Sequence, residues 1–294
     1  MQQSRTRRIR VGVVGIGYLG RFHVEKYLQM DHVELVGLVE TDPDRAREAA
    51  AKWRLPVYSH HRELMGRVEA VSIVVPTPLH YAVAKDFLQA DVDVLVEKPI
   101  TTTLEQAEEL IALAEARGLV LQVGHLERFN PAVAAVRDTV HQPMFIESHR
   151  LSIFQGRCTD VSVVLDLMIH DIDLILNFVG AEVTSVHASG AAVVSEHCDI
   201  ANARLEFATG CVANVTASRI SMKNQRKLRL FQRNAYIGID FASRAITVIR
   251  QPGACTPGPI PGMTVEQLAF AGAQFDDRRR CHQQADLCLR LLRG

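Results

Sequence analysis

Hydrophobic and polar positions fall into two rhythms along the chain. From residue 9 to about 124, continuous apolar runs at 9–14, 34–40, 70–75, 93–97 and 119–123 alternate with amphipathic stretches at 20–30, 43–52, 78–89 and 104–117. Continuous rather than alternating runs are what parallel strands covered on both faces require. The stretch at 104–117 has a helix start at Thr102 and Thr103, with Glu105 following, and a stop at Gly118. This β-α-β succession predicts a doubly wound parallel sheet with right-handed crossovers. Beyond residue 124 the rhythm changes. A helix is expected from Pro131 to about Val140, a strand at 145–153, and a long helix at 163–178 closed by Gly180. Strand-like segments follow at 183–189, 200–207, 211–217, 227–233, 235–241 and 245–250, a succession that predicts a mostly antiparallel sheet. Two rhythms predict two domains, 1–123 and 124–294, with the cleft between them as the default ligand site. Proline and glycine dominate 251–262, a loop, and 264–294 can form one or two helices.

The first apolar run ends in Gly15, Gly17 and Gly20 with the spacing G-x-G-x-x-G, and Glu40 stands twenty positions beyond Gly20 at the end of the second run. Gly15 permits a tight strand-to-helix turn, Gly17 lets a pyrophosphate approach the backbone, and Gly20 allows close helix–strand packing. The phosphates would sit at a helix N-terminus, where free N–H groups and the helix dipole favour negative charge. A carboxylate at Glu40 can bind both hydroxyls of an adenine ribose and would repel a 2′-phosphate, so NAD is favoured over NADP.

Composition adds mostly exclusions. Acidic and basic residues balance at 33 each, which gives no general attraction to nucleic acid or anionic membrane. The basic stretch from Arg5 to Arg8 reads as a solvated tail, and Arg278 to Arg280 as a surface turn. No apolar run reaches membrane-spanning length and no secretory leader pattern precedes the first strand, so a cytoplasmic protein is expected. Cys158, Cys198, Cys211, Cys255, Cys281 and Cys288 are scattered without a C-x-x-C pair, as free thiols in a reducing compartment would be.

Two clusters carry chemistry. Lys98 lies just past the run at 93–97, held out of helical geometry by Pro99. That edge of an open α/β sheet is where ligands bind, and a partly desolvated lysine there can hydrogen-bond or exchange protons with a hydroxyl. A solvated lysine at a strand end would read the same way. Asp166, His170 and Asp173 are spaced four and three apart, which puts them on one face of the expected helix. His170 can accept a proton near neutrality and Asp166 can orient it; a surface Asp–His pair fits the same spacing. No third strong ligand is spaced to complete a metal site. Thr77 and His80, at the carboxyl edge after the run at 70–75, could line a nicotinamide ribose, while Thr77 could equally be a helix cap before Pro78.

Together the segment 14–20, Thr77 to His80, Glu97-Lys98-Pro99, the stretch from Gly124 to Pro131 and the Asp166–Asp173 stretch resemble the Gfo/Idh/MocA family of NAD(P)-dependent sugar oxidoreductases, over about residues 8–250. The resemblance implies a Rossmann domain followed by an α+β domain with an open-faced, mostly antiparallel sheet that also builds a homo-oligomer, a dimer or tetramer. It implies Lys98 and His170 as catalytic lysine and histidine with Asp166 as the matching carboxylate. Cofactor contacts are implied at Gly15, Gly17, Tyr18, Leu19, Gly20, Glu40, Thr77, His80, Glu97 and Lys98. A narrower resemblance, carried by residues 124–133 and 164–176, is to the branch that oxidises the C3 hydroxyl of UDP-N-acetylglucosamine. That branch feeds a PLP aminotransferase whose 3-amino sugar can enter lipid A. Arg128, Asn130, Arg150 and Arg157 are candidates for the sugar-nucleotide phosphates, with Asp173 beside them, since arginine grips phosphate bidentately; a structural ion pair would explain any one of them as well. Another sugar or a polyol such as inositol is the alternative substrate. A non-catalytic NAD sensor on the same scaffold would need neither Lys98 nor His170. A biliverdin-reductase-like enzyme would not need the Asp166–His170 face.

Overall fold

The computed structural model describes residues 7–155 and 161–250, and the backbone of 264–269. Two compact units divide between Leu126 and Glu127. The first runs β1 (Ile9–Val14), α1 (Gly20–Tyr27), β2 (Val33–Val39), α2 (Pro43–Trp53), β3 (Val57–Tyr58), β4 (Ala70–Ile73), α3 (His80–Gln89), β5 (Asp93–Glu97), α4 (Leu104–Arg117) and β6 (Leu121–Gly124). Its six strands are all parallel, in the order β3-β2-β1-β4-β5-β6. The order reverses between β1 and β4, and in such sheets ligands bind outside the carboxyl ends of the strands at that point. The continuous apolar runs have the expected cause: Val11, Val13, Ile73, Val94 and Val96 are fully buried, and apolar clusters cover both faces of the sheet. Local signals set the helix ends. Thr103 Oγ1 accepts the Gln106 N–H and Gly118 closes α4 in a left-handed conformation at φ 63°.

The second unit continues with α5 (Pro131–Val136), β7 (Phe145–Leu151), a π-helical turn (Val164–Met168), α6 (Ile169–Val179), β8 (Val183–Ala191), β9 (Ile200–Phe207), β10 (Val212–Ser218), β11 (Gln225–Gln232), β12 (Ala235–Asp240), β13 (Ala245–Arg250) and β14 (Thr264–Ala269). Its eight strands follow the order β14-β13-β12-β11-β7-β10-β9-β8, antiparallel except for the β7–β10 pair. Burial alternates along these strands. Ile146, Ala203, Leu205, Val215, Leu228 and Ile237 pack under Val133, Val136, Met168, Leu174 and Ile175 of the helices. The opposite face is half-exposed and charged, with Arg229 on Glu147 at 3.2 Å and Lys227 on Asp240 at 3.3 Å.

Four expectations are corrected. The expected helix at 163–178 opens with a π turn, in which the Ile169 N–H reaches the Val164 carbonyl five residues back. The segment Thr264–Ala269, expected to be helical, is a strand on the outer edge of β13, where pairing of its backbone overrides weak local preference. The helix at Pro131 ends at Val136 rather than near Val140. The amphipathic stretch at 78–89 begins as a helix only at His80, after a 3₁₀ turn over Thr77–Leu79. The proline- and glycine-rich stretch 251–262 and residues 270–294 lie outside the described residues. Of the six cysteines, Cys198 and Cys211 are described and both are free thiols; burial pushes the Cys211 thiol up to about 11. No described helix is long and apolar enough to cross a membrane.

Candidate active site

The glycine turn between β1 and α1 separates what the chain itself requires from what a ligand would require. Gly15 has φ +88°, and a Cβ there would lie 2.6 Å from the Val74 carbonyl oxygen. A Cβ at Gly20 would lie 2.0 Å from the Gly15 oxygen. A Cβ at Gly17 would meet nothing within 4 Å. Internal packing thus demands two of the three glycines, and the third leaves open space beside the first turn of α1. That turn has no side-chain cap and no acidic residue. The positive end of a helix dipole beside a side-chain-free surface, with no acidic side chain to repel an anion, suits a pyrophosphate. Tyr18 is exposed and sets its ring edge-on to Phe22, with centroids 5.3 Å apart; Leu19 is half-buried at the helix start.

Glu40 follows β2 with its carboxylate buried. Its Oε1 accepts the Asp42 N–H at 3.0 Å and the Arg45 guanidinium at 3.0 Å. Burial works against its charge, but Arg45, Asp42 and the Ile16 N–H together hold the carboxyl below its usual range. The sheet edge therefore presents a fixed anion where an adenine ribose would lie. Glu40→Ser removes that anion and releases the Arg45 donor it held, so that Arg45, still 3.8 Å from Asp42, can meet a 2′-phosphate. The ratio of kcat/KM for NADP over NAD should rise by about 10- to 100-fold, from the worth of hydrogen bonds to charged groups. An unchanged ratio in paired assays would remove Glu40 from cofactor choice.

Lys98 is half-buried directly after β5, and backbone contacts hold it on both sides. Its own N–H donates to Glu97 Oε2 at 3.3 Å, and the Pro99 carbonyl lies 2.8 Å from His80 Nδ1. His80 is buried and its Nε2 lies 2.9 Å from the Val75 carbonyl. His80, expected to line a ribose, is buried with its ring set between two backbone carbonyls. Thr77 is not a helix cap, because it opens the 3₁₀ turn with no side-chain cap at its start, and its carbonyl accepts the His80 N–H. Beneath Lys98, Glu97 is buried and its Oε1 lies 3.1 Å from His23 Nε2, a partner that sequence spacing does not reveal.

In the second unit the π turn carries Asp166, and His170 stands in the first turn of α6; both are half-buried. The widened turn means that the four-residue spacing from Asp166 to His170 is not that of a regular α-helix, which modifies the one-face expectation. Backbone anchors fix the entry to the turn: the Val163 N–H donates to the Cys198 carbonyl at 2.8 Å, and Arg219, paired with Asp199, donates to the Val161 carbonyl at 2.8 Å.

The residues read as phosphate ligands sort differently from expectation. Arg150 is buried on β7 and grips Asp171 through Nε at 3.1 Å and Nη2 at 2.7 Å, with Glu127 at 3.8 Å. Burial disfavours its charge, but Asp171, Glu127 and Asp166 hold it firmly protonated. Asn130 is fully buried; it caps α5 by accepting the Ala132 N–H at 3.0 Å and donates to Glu127 at 3.1 Å. Arg150 and Asn130 therefore knit the unit together rather than face a nucleotide, because each is enclosed by partners that need its hydrogen bonds. Arg128 pairs bidentately with Asp173, at 2.7 Å and 2.5 Å, which accounts for the buried Asp173, while nearly half of the Arg128 side chain stays exposed. Arg157 lies outside the described residues. Sequence reading missed His23, Glu127 and Asp171. Only the cost of an uncompensated polar residue on an apolar helix face could have flagged Asp171.

Comparison with known proteins agrees with this architecture. Residues 9–125 match the oxidoreductase family model with an NAD-binding Rossmann fold, and residues 134–237 match the GFO/IDH/MocA C-terminal domain. The chain is 39% identical over 264 residues to UDP-N-acetylglucosamine 3-dehydrogenase of Acidithiobacillus ferrooxidans, covering 90% of this chain and 83% of that protein. It is 31% identical over 193 residues to inositol 2-dehydrogenase of Rubrobacter xylanophilus, covering 62% and 56% of the two chains. A crystal form of the A. ferrooxidans enzyme superposes with a TM-score of 0.84 at 36% identity, covering 96% of each chain. Levoglucosan dehydrogenase in complex with NADH and levoglucosan shares the fold at a TM-score of 0.85 and 18% identity, covering 98% of this chain and 91% of that one. The chain is a member of the Gfo/Idh/MocA family of oxidoreductases, with an NAD-binding Rossmann unit followed by the family's C-terminal domain.

Proposed function

We propose that the enzyme oxidises the C3 hydroxyl of UDP-N-acetylglucosamine to the 3-keto sugar nucleotide. The observation that carries this reading is the 39% identity, over 90% of the chain, to an enzyme named for that reaction. Gly15, Gly17 and Gly20 would hold the pyrophosphate of NAD⁺ and Glu40 its adenosine ribose. NAD⁺, when bound, supplies the hydride acceptor. His170 takes the hydroxyl proton as the C3 hydrogen departs with its electron pair. Lys98 hydrogen-bonds the same oxygen and stabilises the negative charge that develops there. Asp166 orients the His170 imidazole. Arg128 uses Nε and one terminal nitrogen on Asp173, which leaves further N–H donors for a diphosphate oxygen.

The half-exposed sheet face of the second unit would serve a homo-oligomer, and the enzyme would work in the cytoplasm. A ketone at C3 suits a PLP aminotransferase as the next step, the amine then entering lipid A.

Following NADH absorbance with UDP-N-acetylglucosamine, UDP-glucose, free N-acetylglucosamine and myo-inositol tests the substrate. UDP-N-acetylglucosamine should give the highest kcat/KM. A higher value for inositol or a free sugar would overturn the assignment in favour of the polyol reading that the inositol dehydrogenase relative supports.

A further inference from the structure

The first unit encloses a chain of four polar side chains to which the mechanism gives no part. Tyr27 Oη lies 2.6 Å from Ser72 Oγ, Ser72 Oγ lies 3.2 Å from His23 Nδ1, and His23 Nε2 lies 3.1 Å from Glu97 Oε1. Relative exposures are 3%, 0%, 1% and 5% for Tyr27, Ser72, His23 and Glu97. Groups buried this deeply are costly unless each finds a partner. One arrangement of protons satisfies the whole chain: Tyr27 donates to Ser72, Ser72 donates to His23 Nδ1, and the His23 Nε2–H donates to the Glu97 carboxylate.

The far end of this chain is Lys98. The second carboxylate oxygen of Glu97 accepts the Lys98 backbone N–H at 3.3 Å. The seat of that carboxylate is shaped by Gly124 on β6. A Cβ at Gly124 would lie 2.7 Å from Glu97 Oε2 and 2.8 Å from its Cδ. Gly124 is not among the glycines with positive φ, so its lack of a side chain answers a need for space and not for conformation. The near end of the chain is α1. His23 and Tyr27 lie three and seven residues beyond Gly20 on the helix whose N-terminus faces the open space at Gly17. One hydrogen-bonded path therefore joins the helix that would hold the pyrophosphate to the backbone that presents Lys98.

We propose that His23 is a positioning residue for hydride transfer, aiming Lys98 through the Glu97 carboxylate that it holds against Gly124. The proposal rests on the reading of Lys98 as the group that touches the reacting oxygen. An imidazole fits the task because it can accept from Ser72 on one side and donate to Glu97 on the other. A glutamine can reproduce both bonds through its carbonyl and amide groups, and a leucine can reproduce neither.

The test uses the full chain with NAD⁺ and UDP-N-acetylglucosamine. His23→Leu, His23→Gln, Gly124→Ala and Lys98→Met are compared for kcat, KM, NAD affinity by titration and melting temperature. His23→Leu is expected to lower kcat by about 10- to 100-fold, the worth of a hydrogen bond to a charged group, with NAD affinity nearly unchanged. His23→Gln should recover most of that loss. Gly124→Ala, which displaces the carboxylate without touching His23, should lower kcat with the same pattern and stands in if His23→Leu does not fold. Wild-type kcat in a folded His23→Leu or Gly124→Ala protein overturns the proposal, as does equal impairment of the leucine and glutamine variants. Full activity in Lys98→Met instead removes the reading beneath it, so the two failures are distinguishable.

Discussion

Replacing Lys98 with methionine is expected to lower kcat by about 10²- to 10³-fold, the usual cost of removing one electrostatic stabiliser of a developing oxyanion. Methionine keeps most of the length of the side chain and removes only the charge and its donors. The backbone around residue 98 is held independently of the ammonium, by Glu97 on one side and by the His80 contact to Pro99 on the other. The strand end should therefore survive, and NAD affinity and melting temperature should stay close to wild type. Loss of kcat with intact cofactor binding is the signature of an interaction made in the transition state. His170→Ala should act on the same step, with a loss of about 10²- to 10⁴-fold expected for a general base. Steady-state kinetics with UDP-N-acetylglucosamine checks both, and a Lys98→Met enzyme with full turnover would remove the lysine from the reaction.

The second large effect is on stability. Arg150→Ala should destabilise the second unit by about 3–5 kcal/mol, because it strands buried carboxylates rather than because it deletes an attraction. Asp171 is 2% exposed and Glu127 is 6% exposed, and both face the guanidinium that would be lost. For a unit of this size the fall in melting temperature should be about 6–20 °C. Arg150→Met combined with Asp171→Leu should recover part of the loss, since an apolar replacement of a buried ion pair is often neutral. Asp171 immediately precedes Ile172 on α6 and follows His170, so kcat of the surviving Arg150→Ala protein should fall as well. A fall in melting temperature below about 2 °C would show that the buried cluster contributes little.

Arginine reads ambiguously in sequence for a physical reason. Arg128 and Arg150 both suggest phosphate, since a guanidinium fork matches phosphate and carboxylate equally well. Enclosure decides between these readings. Arg150 lies on the covered face of β7 among carboxylates, while Arg128 keeps free donors. The same holds for histidine. His80 was legible as a residue at the carboxyl edge of the sheet, yet its ring lies buried between two backbone carbonyls. His23 carried no signal, because its partner Glu97 is 74 residues away. The π turn at Val164–Met168 was also silent, since its residues have ordinary helical preferences and its anchors come from Cys198 and Arg219.

Sequence alone determined the parallel first unit, the glycine turn, the carboxylate at Glu40, the start and stop of α4 and the alternating strands of the second sheet, because period, capping and turn geometry act over a few residues. Tertiary structure decided which charged groups are enclosed with which partners, how Glu97 sits against Gly124, and where β14 pairs. Those outcomes depend on desolvation and on hydrogen bonds between residues far apart in the chain, and no local pattern records them.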